Sequence, residues 1–276
     1  MPARRIMTLA AVIAVTSGYF YFAEYIKVLA IPMAIGLLVT ILSYVFQHQI
    51  NWWWYQRRPP RLPGAIDALY RKVSPWYQGL PKEAADIFRA RVSLFVQSKE
   101  FIVQGIDSMP EDLKYMVAYY AARLTMHQKE FLFKDYDRVV FYLHPFLTPN
   151  HPERVHTCEV EHEDGTIILS IEQLTASFMS PRTYYAVGLH ALAEAYQVKY
   201  APKMPAFDQR IWTTLEEISG ISQAKINDFI GLVQEDPWPV VVHHWFVYPR
   251  QFMQRAPALY RDLQQVFSTP DAAQHA

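Results

Sequence analysis

Two long apolar runs open the chain. No charged residue occurs from Ile6 to Ala23, and none occurs from Val28 to Phe46. A helix of about 17 to 25 apolar residues crosses the hydrocarbon core of a bilayer, so each run is long enough to span it. The short segment between the runs leaves room only for a tight turn. The pattern therefore predicts a transmembrane helical hairpin over residues 1–56.

The apolar runs have two alternative interpretations besides a spanning hairpin. A cleaved signal peptide is disfavoured, because no small-residue cleavage site precedes Glu24 and a second apolar run follows at once. A single re-entrant or interfacial insertion stays open as the other alternative. Pro32 and Gly36 in the second run are compatible with a membrane helix.

Arginines flank both ends of the predicted hairpin. Arg4 and Arg5 precede the first run, and three arginines follow the second, namely Arg57, Arg58 and Arg61. Positive charge near a span favours the cytoplasmic side. The sequence therefore predicts a multi-pass protein of the inner (cytoplasmic) membrane, anchored by the hairpin, with its large domain in the cytoplasm.

The segment after the second run has the composition of a membrane exit. The aromatic residues 52–55 fall where the span should leave the lipid, and such rings favour the headgroup layer. Residues 57–64 are rich in arginine and proline and predict a short stiff linker. Residues 65–276 are then expected to form the soluble domain.

Apolar residues at helical spacing dominate that domain. They predict helices over the following segments: residues 81–99, a helix opening at Pro110, residues 182–200 with Pro202 beyond the end, residues 211–230 interrupted near Gly220, and residues 237–267 interrupted at Pro249 and Pro257. Pro202 lies outside the residues that the structure describes.

Two segments are rich in β-branched and aromatic residues and predict strands, Val139–Leu143 and Gly165–Ser170. The segment His144–His162 between them contains several prolines and is predicted to be a solvated loop. The expected fold class is therefore α+β, mainly helical, with a small β-sheet.

The overall charge excludes one class of function. Lys and Arg together number 26, and Asp and Glu also number 26, so the chain lacks the basic excess of a nucleic-acid-binding domain. Cys158 is the sole cysteine, so no intramolecular disulfide can form, and a reducing compartment is favoured. An inert, structural thiol is the expected role of Cys158.

The chemically informative segment is the predicted helix around His190. His190 and Glu194 are four residues apart, so their side chains leave the same face of a helix. Zinc peptidases use this geometry in the motif H-E-x-x-H, where two histidines bind the metal and the glutamate activates water. Here the string is H-A-x-x-E, and an ordinary helical side-chain pair is the alternative explanation.

The order and spacing of several segments resemble the Mlc titration factor A family, a glucose-regulated zinc metallopeptidase family of bacteria. The resemblance covers residues 80–267 and rests on the following segments: Leu80-Pro81, Lys99–Ile102, Gly165–Ser170, His190–Glu194, the helical stretch Ile226–Phe252 with Pro249 and Phe252, and Pro257–Leu259. It implies a zincin-like metallopeptidase core. The apolar hairpin is not part of that cytosolic family's pattern.

Carried over residue by residue, the resemblance implies a broken catalytic motif. His190 matches the family's first zinc-binding histidine, Ala191 replaces its catalytic glutamate, and Glu194 replaces its second zinc-binding histidine. Asp236 falls on the third ligand, a glutamate, and Phe229 falls on a tyrosine that is expected to polarise the substrate. Losing a positioned general base typically costs about 10²- to 10⁴-fold in rate.

Two functions are compatible with this pattern. In the first, the domain is a non-catalytic binding or regulatory module without a cofactor, and a protein partner or peptide occupies a vestigial cleft. In the second, His190, Glu194 and Asp236 form a rebuilt site for zinc or another divalent ion, with or without peptidase activity. His243, two helical turns beyond Asp236, is a further candidate ligand in that case.

Other histidines were considered as metal ligands. His144, His151, His156 and His162 lie in one proline-rich segment, without the paired spacing that is usual for metal ligands. The segment is therefore expected to be a solvated loop. Asp236-Pro237 also has the form of a helix N-cap followed by a first-turn proline, which would give Asp236 a structural role.

Overall fold

The computed structural model describes residues 2–200, 205–208 and 210–267. The chain divides into two compact units, one ending at Pro60 and the other beginning at Arg61. The first unit contains helix α1 (Pro2–Ala23), a 3₁₀ turn (Lys27–Leu29), helix α2 (Ala30–Val45) and helix α3 (Gln47–Arg57).

Two helical segments of the first unit are long and apolar enough to cross a membrane. One is α1, and the other is the 3₁₀ turn together with α2. Small residues form the contact between them: Ala10 and Ala14 of α1 face Gly36 of α2 so closely that a Cβ at position 36 would lie 2.8 Å from the Ala10 carbonyl oxygen. Close backbone approach at small residues is typical of paired membrane helices. The large apolar side chains of both helices point outward instead.

The second unit contains eleven helices and four strands among its described residues. Its helices are α4 (Gly64–Val73), α5 (Pro75–Gln78), α6 (Lys82–Ser98), α7 (Glu111–Leu124), α8 (Ile171–Met179), α9 (Val187–Tyr200), α10 (Ile211–Ser219), α11 (Gln223–Ile230), α12 (Trp238–Val247), α13 (Pro249–Arg255) and α14 (Pro257–Phe267).

The four strands form one mixed sheet in the order β1-β2-β4-β3. They are β1 (Glu100–Gln104), β2 (Arg138–Tyr142), β3 (Cys158–Glu161) and β4 (Thr166–Ser170). β1, β2 and β4 are parallel, whereas β3 runs antiparallel to β4. β3 pairs with one neighbour only within this sheet, so its other edge is free of described strands.

Helix α9 lies at the centre of the domain. Leu189, Ala191 and Leu192 have no exposed surface. Gly188 allows α9 to approach its neighbours, because a Cβ there would lie 2.7 Å from Leu174 Cδ1 of α8 and 3.2 Å from Tyr120 Cδ2 of α7. On another side, the Trp238 indole of α12 donates a 3.0 Å hydrogen bond to the Ala193 carbonyl.

The predicted fold class is confirmed, and so are the two predicted strands and the interruptions near Gly220, Pro249 and Pro257. α9 begins at Val187, five residues later than predicted, since Pro181 to Ala186 form a turn in which Thr183 and Tyr184 donate to the Ser180 carbonyl. The sequence analysis missed α8, which Ser170 caps by accepting from the Gln173 backbone N–H.

The predicted loop over residues 144–162 is wrong in two respects. Its last part forms strand β3, where Cys158 and Val160 face inward. His156 is fully buried rather than solvated, because its ring contacts the Arg154 carbonyl and the Glu159 carboxylate and its backbone pairs with Phe146. Cys158 is buried as well, and burial raises the pKa of its thiol, in agreement with an inert role.

Candidate functional site

A cleft of about 740 Å³ lies between α9, strand β3 and the segment that joins α11 to α12. α9 contributes His190, Glu194 and Gln197, and the joining segment contributes Gln234 and Asp236. The end of α11, where the joining segment starts, is tied to the residue before β3 by a 2.8 Å hydrogen bond from the Thr157 backbone N–H to the Ile230 carbonyl. The structure therefore brings His190, Glu194 and Asp236 into one cleft.

Gly231 allows this wall of the cleft to approach the chain before β3. Its φ of +89° ends α11 in the left-handed conformation that favours glycine. A Cβ there would lie 2.2 Å from the Val155 carbonyl oxygen and 2.7 Å from the His156 Cα. A side chain at this position would push the joining segment, and with it Asp236, away from β3.

His190 is a buried and neutral imidazole. Only 2% of its surface is exposed, and its Nδ1 shares a 2.8 Å hydrogen bond with the Tyr185 hydroxyl. Burial lowers the pKa of His190 to about 4, against the opposing effect of the Glu194 and Asp236 carboxylates. At neutral pH the ring is therefore uncharged and can take part in hydrogen bonds as a neutral imidazole.

Glu194 pairs with a histidine from the end of β3. Its Oε1 lies 3.6 Å from His162 Nε2, and His162 Nδ1 lies 2.7 Å from the Tyr136 hydroxyl. The bond to Glu194 raises the pKa of His162 despite partial burial, and the Glu161 charge adds to the effect. Burial and the charge of Glu194 together raise the pKa of Tyr136 to about 12. The carboxylate of Glu194 is thus engaged with an imidazole on the opposite wall.

Asp236 is engaged on both carboxylate oxygens. Oδ1 accepts a 2.9 Å hydrogen bond from the Trp238 backbone N–H at the start of α12. Oδ2 accepts a 2.7 Å hydrogen bond from the Gln197 side chain of α9. The first contact joins Asp236 to the first residue of α12, but the N-cap residue of that helix is Pro237, so Asp236 lies one residue before the predicted N-cap position. The second contact links α9 to the segment that precedes α12.

The remaining predicted positions do not reach the cleft. His243 is fully buried behind His190: its ring stacks on Tyr185 with centroids 4.1 Å apart, and its Nε2 accepts from the Ala186 backbone N–H at 3.2 Å. Phe229 packs, half-buried, against the apolar core. Ala191 is buried with no polar atom to present. His243 therefore lies in the layer behind the cleft, apart from Glu194 and Asp236.

The cleft is strongly acidic. Five carboxylate residues line it, and among its described lining residues none is Lys or Arg. The carboxylates are Glu159, Glu161, Glu163, Glu194 and Asp236. Since a concave surface with charges of one sign concentrates ions of the other, this cleft attracts cationic groups.

The side chains present do not fit a zinc ion. In the part of the chain that the structure describes, no group of three His, Cys, Asp or Glu side chains lies close enough together to hold a metal. A catalytic zinc requires about three protein ligands at roughly 2.0 to 2.3 Å with one open position. Glu194 and Asp236 are instead occupied by His162, Gln197 and a helix N-terminus.

Sequence analysis missed the residues that complete the cleft. His162 was placed in a solvated loop, although the alternation Cys158-Glu159-Val160-Glu161 before it has the two-residue period of a strand. No sequence motif indicated Tyr185 or Gln234, because both act on His190 from other segments. Tyr185 lies in the turn before α9, and Gln234 lies in the joining segment.

The mixed sheet, the central helix α9 with His190 and Glu194, and the cleft along the antiparallel edge strand define a zincin-like metallopeptidase domain. Residues 50–268 match the profile of the glucose-regulated metallo-peptidase M90 family. The chain belongs to this family. A search of curated protein sequences found no significant match.

Proposed function

We propose that this protein is a membrane-anchored, non-catalytic member of its metallopeptidase family whose cleft binds an extended, positively charged peptide segment. The observation that carries the proposal is the replacement of the general base by Ala191, on a helix whose Glu194 is paired with His162. Neither residue is positioned to activate water on a metal. A cleft without its base can still hold a peptide.

The cleft supports peptide binding in two ways. The free edge of β3 offers backbone N–H and C=O groups to an added strand, a common mode of peptide recognition. The acidic lining favours lysine and arginine side chains, since five carboxylates face a cleft without a lining Lys or Arg among its described residues.

The apolar hairpin supports the membrane anchor. Its two helices are long and apolar enough to span a bilayer, and their large apolar side chains point outward. With the flanking arginines, this supports an inner-membrane protein with residues 1–56 in the membrane, residues 57–64 as a linker and residues 65–276 in the cytoplasm.

The catalytic part of the proposal is tested by rebuilding the motif. Ala191→Glu together with Glu194→His restores H-E-x-x-H on α9. We expect the double variant to bind zinc and to show a zinc-dependent rise in Tm, because a structural zinc site contributes many kcal/mol of apparent binding free energy. The measurements are metal content and thermal unfolding with and without a chelator.

Two further variants and the unmodified chain serve as controls for the rebuilt motif. Ala191→Glu alone restores the base but leaves Glu194 where the motif needs an imidazole, so it should gain neither zinc nor activity. His190→Ala in the double variant should remove the zinc-dependent rise. Chelator-sensitive peptide cleavage by the unmodified chain would refute the non-catalytic assignment and favour a rebuilt metal site at His190, Glu194 and Asp236.

The binding part is tested with two labelled peptides of equal length, one rich in lysine and one in which every lysine is glutamate. We expect the unmodified chain to bind the lysine peptide more tightly. Glu161→Lys in the cleft should weaken this binding several-fold, as one exposed charge contributes about 0.2–1 kcal/mol. The matched control is Glu83→Lys, an exposed residue on α6 that does not line the cleft. Equal binding of both peptides would contradict the proposal.

A further inference from the structure

A second cavity, of about 500 Å³, lies against α7 and α9. Its walls come from the α4–α5 junction, α7, the turn after α8, α9 and the α12–α13 junction. Leu189 lines this cavity, whereas the next residue, His190, lines the acidic cleft. The two cavities therefore use different faces of α9, and the second is not an extension of the first.

The second cavity is apolar with a cationic centre. Its largest wall residues are aromatic, and among its described lining residues the charged ones are Arg123 and Arg182, with no Asp or Glu. The aromatic wall residues are Trp76, Tyr119, Tyr120, Phe178 and Phe246. The charge of this lining is therefore positive, whereas that of the acidic cleft is negative.

Arg123 is held in place by its neighbours. Its guanidinium carbon lies 4.9 Å from the centre of the Trp76 ring and 4.7 Å from the centre of the Phe246 ring. One Nη2 hydrogen donates to the Phe246 carbonyl at 3.2 Å. The guanidinium is therefore oriented by two rings and a carbonyl, and it is not free to swing into solvent.

The same guanidinium lacks a compensating negative charge. Its Nε–H is buried without a hydrogen-bond partner, and no described carboxylate forms an ion pair with it. Arg123 is partly buried, and leaving its buried Nε–H without an acceptor is unfavourable. An oxyanion in the cavity that accepts from the Nη groups would supply the missing negative charge, because arginine forms charge-assisted hydrogen bonds to carboxylates.

We propose that this cavity binds a small amphipathic carboxylic acid, with its carboxylate on Arg123 and its apolar body against Trp76, Phe178 and Leu189. Arg182 at the cavity adds a second positive charge. The volume suits a compact organic molecule, and apolar walls with a few oriented polar groups are typical of such sites. The proposal does not depend on the peptide-binding cleft.

The test compares acids with a neutral isostere on the full-length, detergent-solubilised chain. The probes are 3-phenylpropionate and octanoate, and the controls are 3-phenylpropanamide, which keeps the body but loses the charge, and acetate, which keeps the charge but loses the body. We expect at least one acid to bind at millimolar concentration or below, and the two controls to bind at least tenfold more weakly. Tryptophan fluorescence and thermal unfolding report binding.

Arg123→Lys keeps the positive charge but removes the planar guanidinium donors. We expect this variant to bind the acids at least tenfold more weakly. Its matched control is Arg91→Lys: Arg91 also lies over an aromatic ring, Phe131 at 4.7 Å, and donates to a backbone carbonyl, but it does not line the cavity. Arg91→Lys should bind like the unmodified chain. If Arg123→Lys fails to fold, the comparison of acid with amide on the unmodified chain decides alone. Equal binding of acid and amide, unchanged binding by a folded Arg123→Lys, or no binding of either acid would overturn the proposal.

Discussion

Two histidines that face the same cleft have their pKa values shifted in opposite directions. Burial lowers the pKa of His190, whereas the bond to Glu194 raises that of His162. Burial dominates for His190, which is 2% exposed, whereas the His162 side chain retains 45% of its accessible surface and the bond to Glu194 outweighs burial there. At neutral pH the cleft therefore presents an uncharged imidazole on α9 beside an imidazole that is readily protonated at the end of β3.

The low pKa of His190 predicts acid sensitivity. Its pKa falls from 6.5 in the unfolded chain to about 4 in the folded protein, so the unfolded state binds more protons between these values. Stability from this group is full above pH 6.5 and is lost as the pH falls toward 4. His190→Gln should reduce the slope of unfolding free energy against pH in this window by about 1.4 kcal/mol per pH unit at most. The measurement is denaturant unfolding at several pH values, and parallel slopes for the two proteins would contradict it.

The pair of Glu194 with His162 predicts the opposite sign. A raised pKa in the folded protein contributes stability below the unfolded value, and this contribution is lost as the pH rises through the folded pKa. Glu194→Gln should lower the pKa of His162, because burial then acts without the carboxylate. NMR titration of the imidazole measures this. The control is Glu163→Gln, because Glu163 lines the same cleft but its charge does not raise the pKa of His162.

Helix α9 depends on close packing more than on helical propensity. Alanine is a better helix former than glycine. Gly188→Ala should nevertheless destabilise the protein by about 1–3 kcal/mol, because the new methyl would lie 2.7 Å from Leu174 Cδ1. Denaturant unfolding measures the change. Gly64→Ala, in α4 with no atom within 4 Å of the added Cβ, is the matched control and should be neutral or stabilising. A stabilised Gly188→Ala would show that α8 yields to the methyl group.

Apolar periodicity and composition predicted some elements and missed others, among them α4, α8, β1 and β3. The helices α6, α7 and α12 and the strands β2 and β4 have enough apolar residues to reveal their period. β3 has four residues, two of them glutamates that face the cleft, so polar composition hid its alternation.

The candidate site divides in the same way. His190 and Glu194 share a helix face, so their proximity follows from sequence spacing. Asp236 was predicted for the same site only through the family resemblance. Nothing local indicated that His162 would cross to Glu194, since that contact depends on how β3 is placed beside α9. The orientation of His243 also required the tertiary structure, because Tyr185 separates it from the cleft.

At the level of the whole chain, the distribution of arginines predicts the topology. A reporter fused after Ala276 should be located in the cytoplasm, because Arg4 and Arg5 precede the uncharged run of α1 and Arg57 follows the uncharged run of α2. Activity of an alkaline phosphatase fusion and of a cytoplasmic reporter fusion at the same point measures this. Periplasmic phosphatase activity would refute the orientation.

The arrangement of α9 separates the requirements of folding from those of catalysis. Gly188, Leu189 and Leu192 hold the helix in the domain, whereas the positions that carry a zinc peptidase's chemistry are 190, 191 and 194. Of the second group, Ala191 also belongs to the apolar core, whereas Glu194 is partly exposed in the cleft. Ala191 even fits the buried interior better than a carboxylate, which would lose its hydration there. A peptidase built on this helix could thus relinquish hydrolysis while its architecture stayed intact and free for another use.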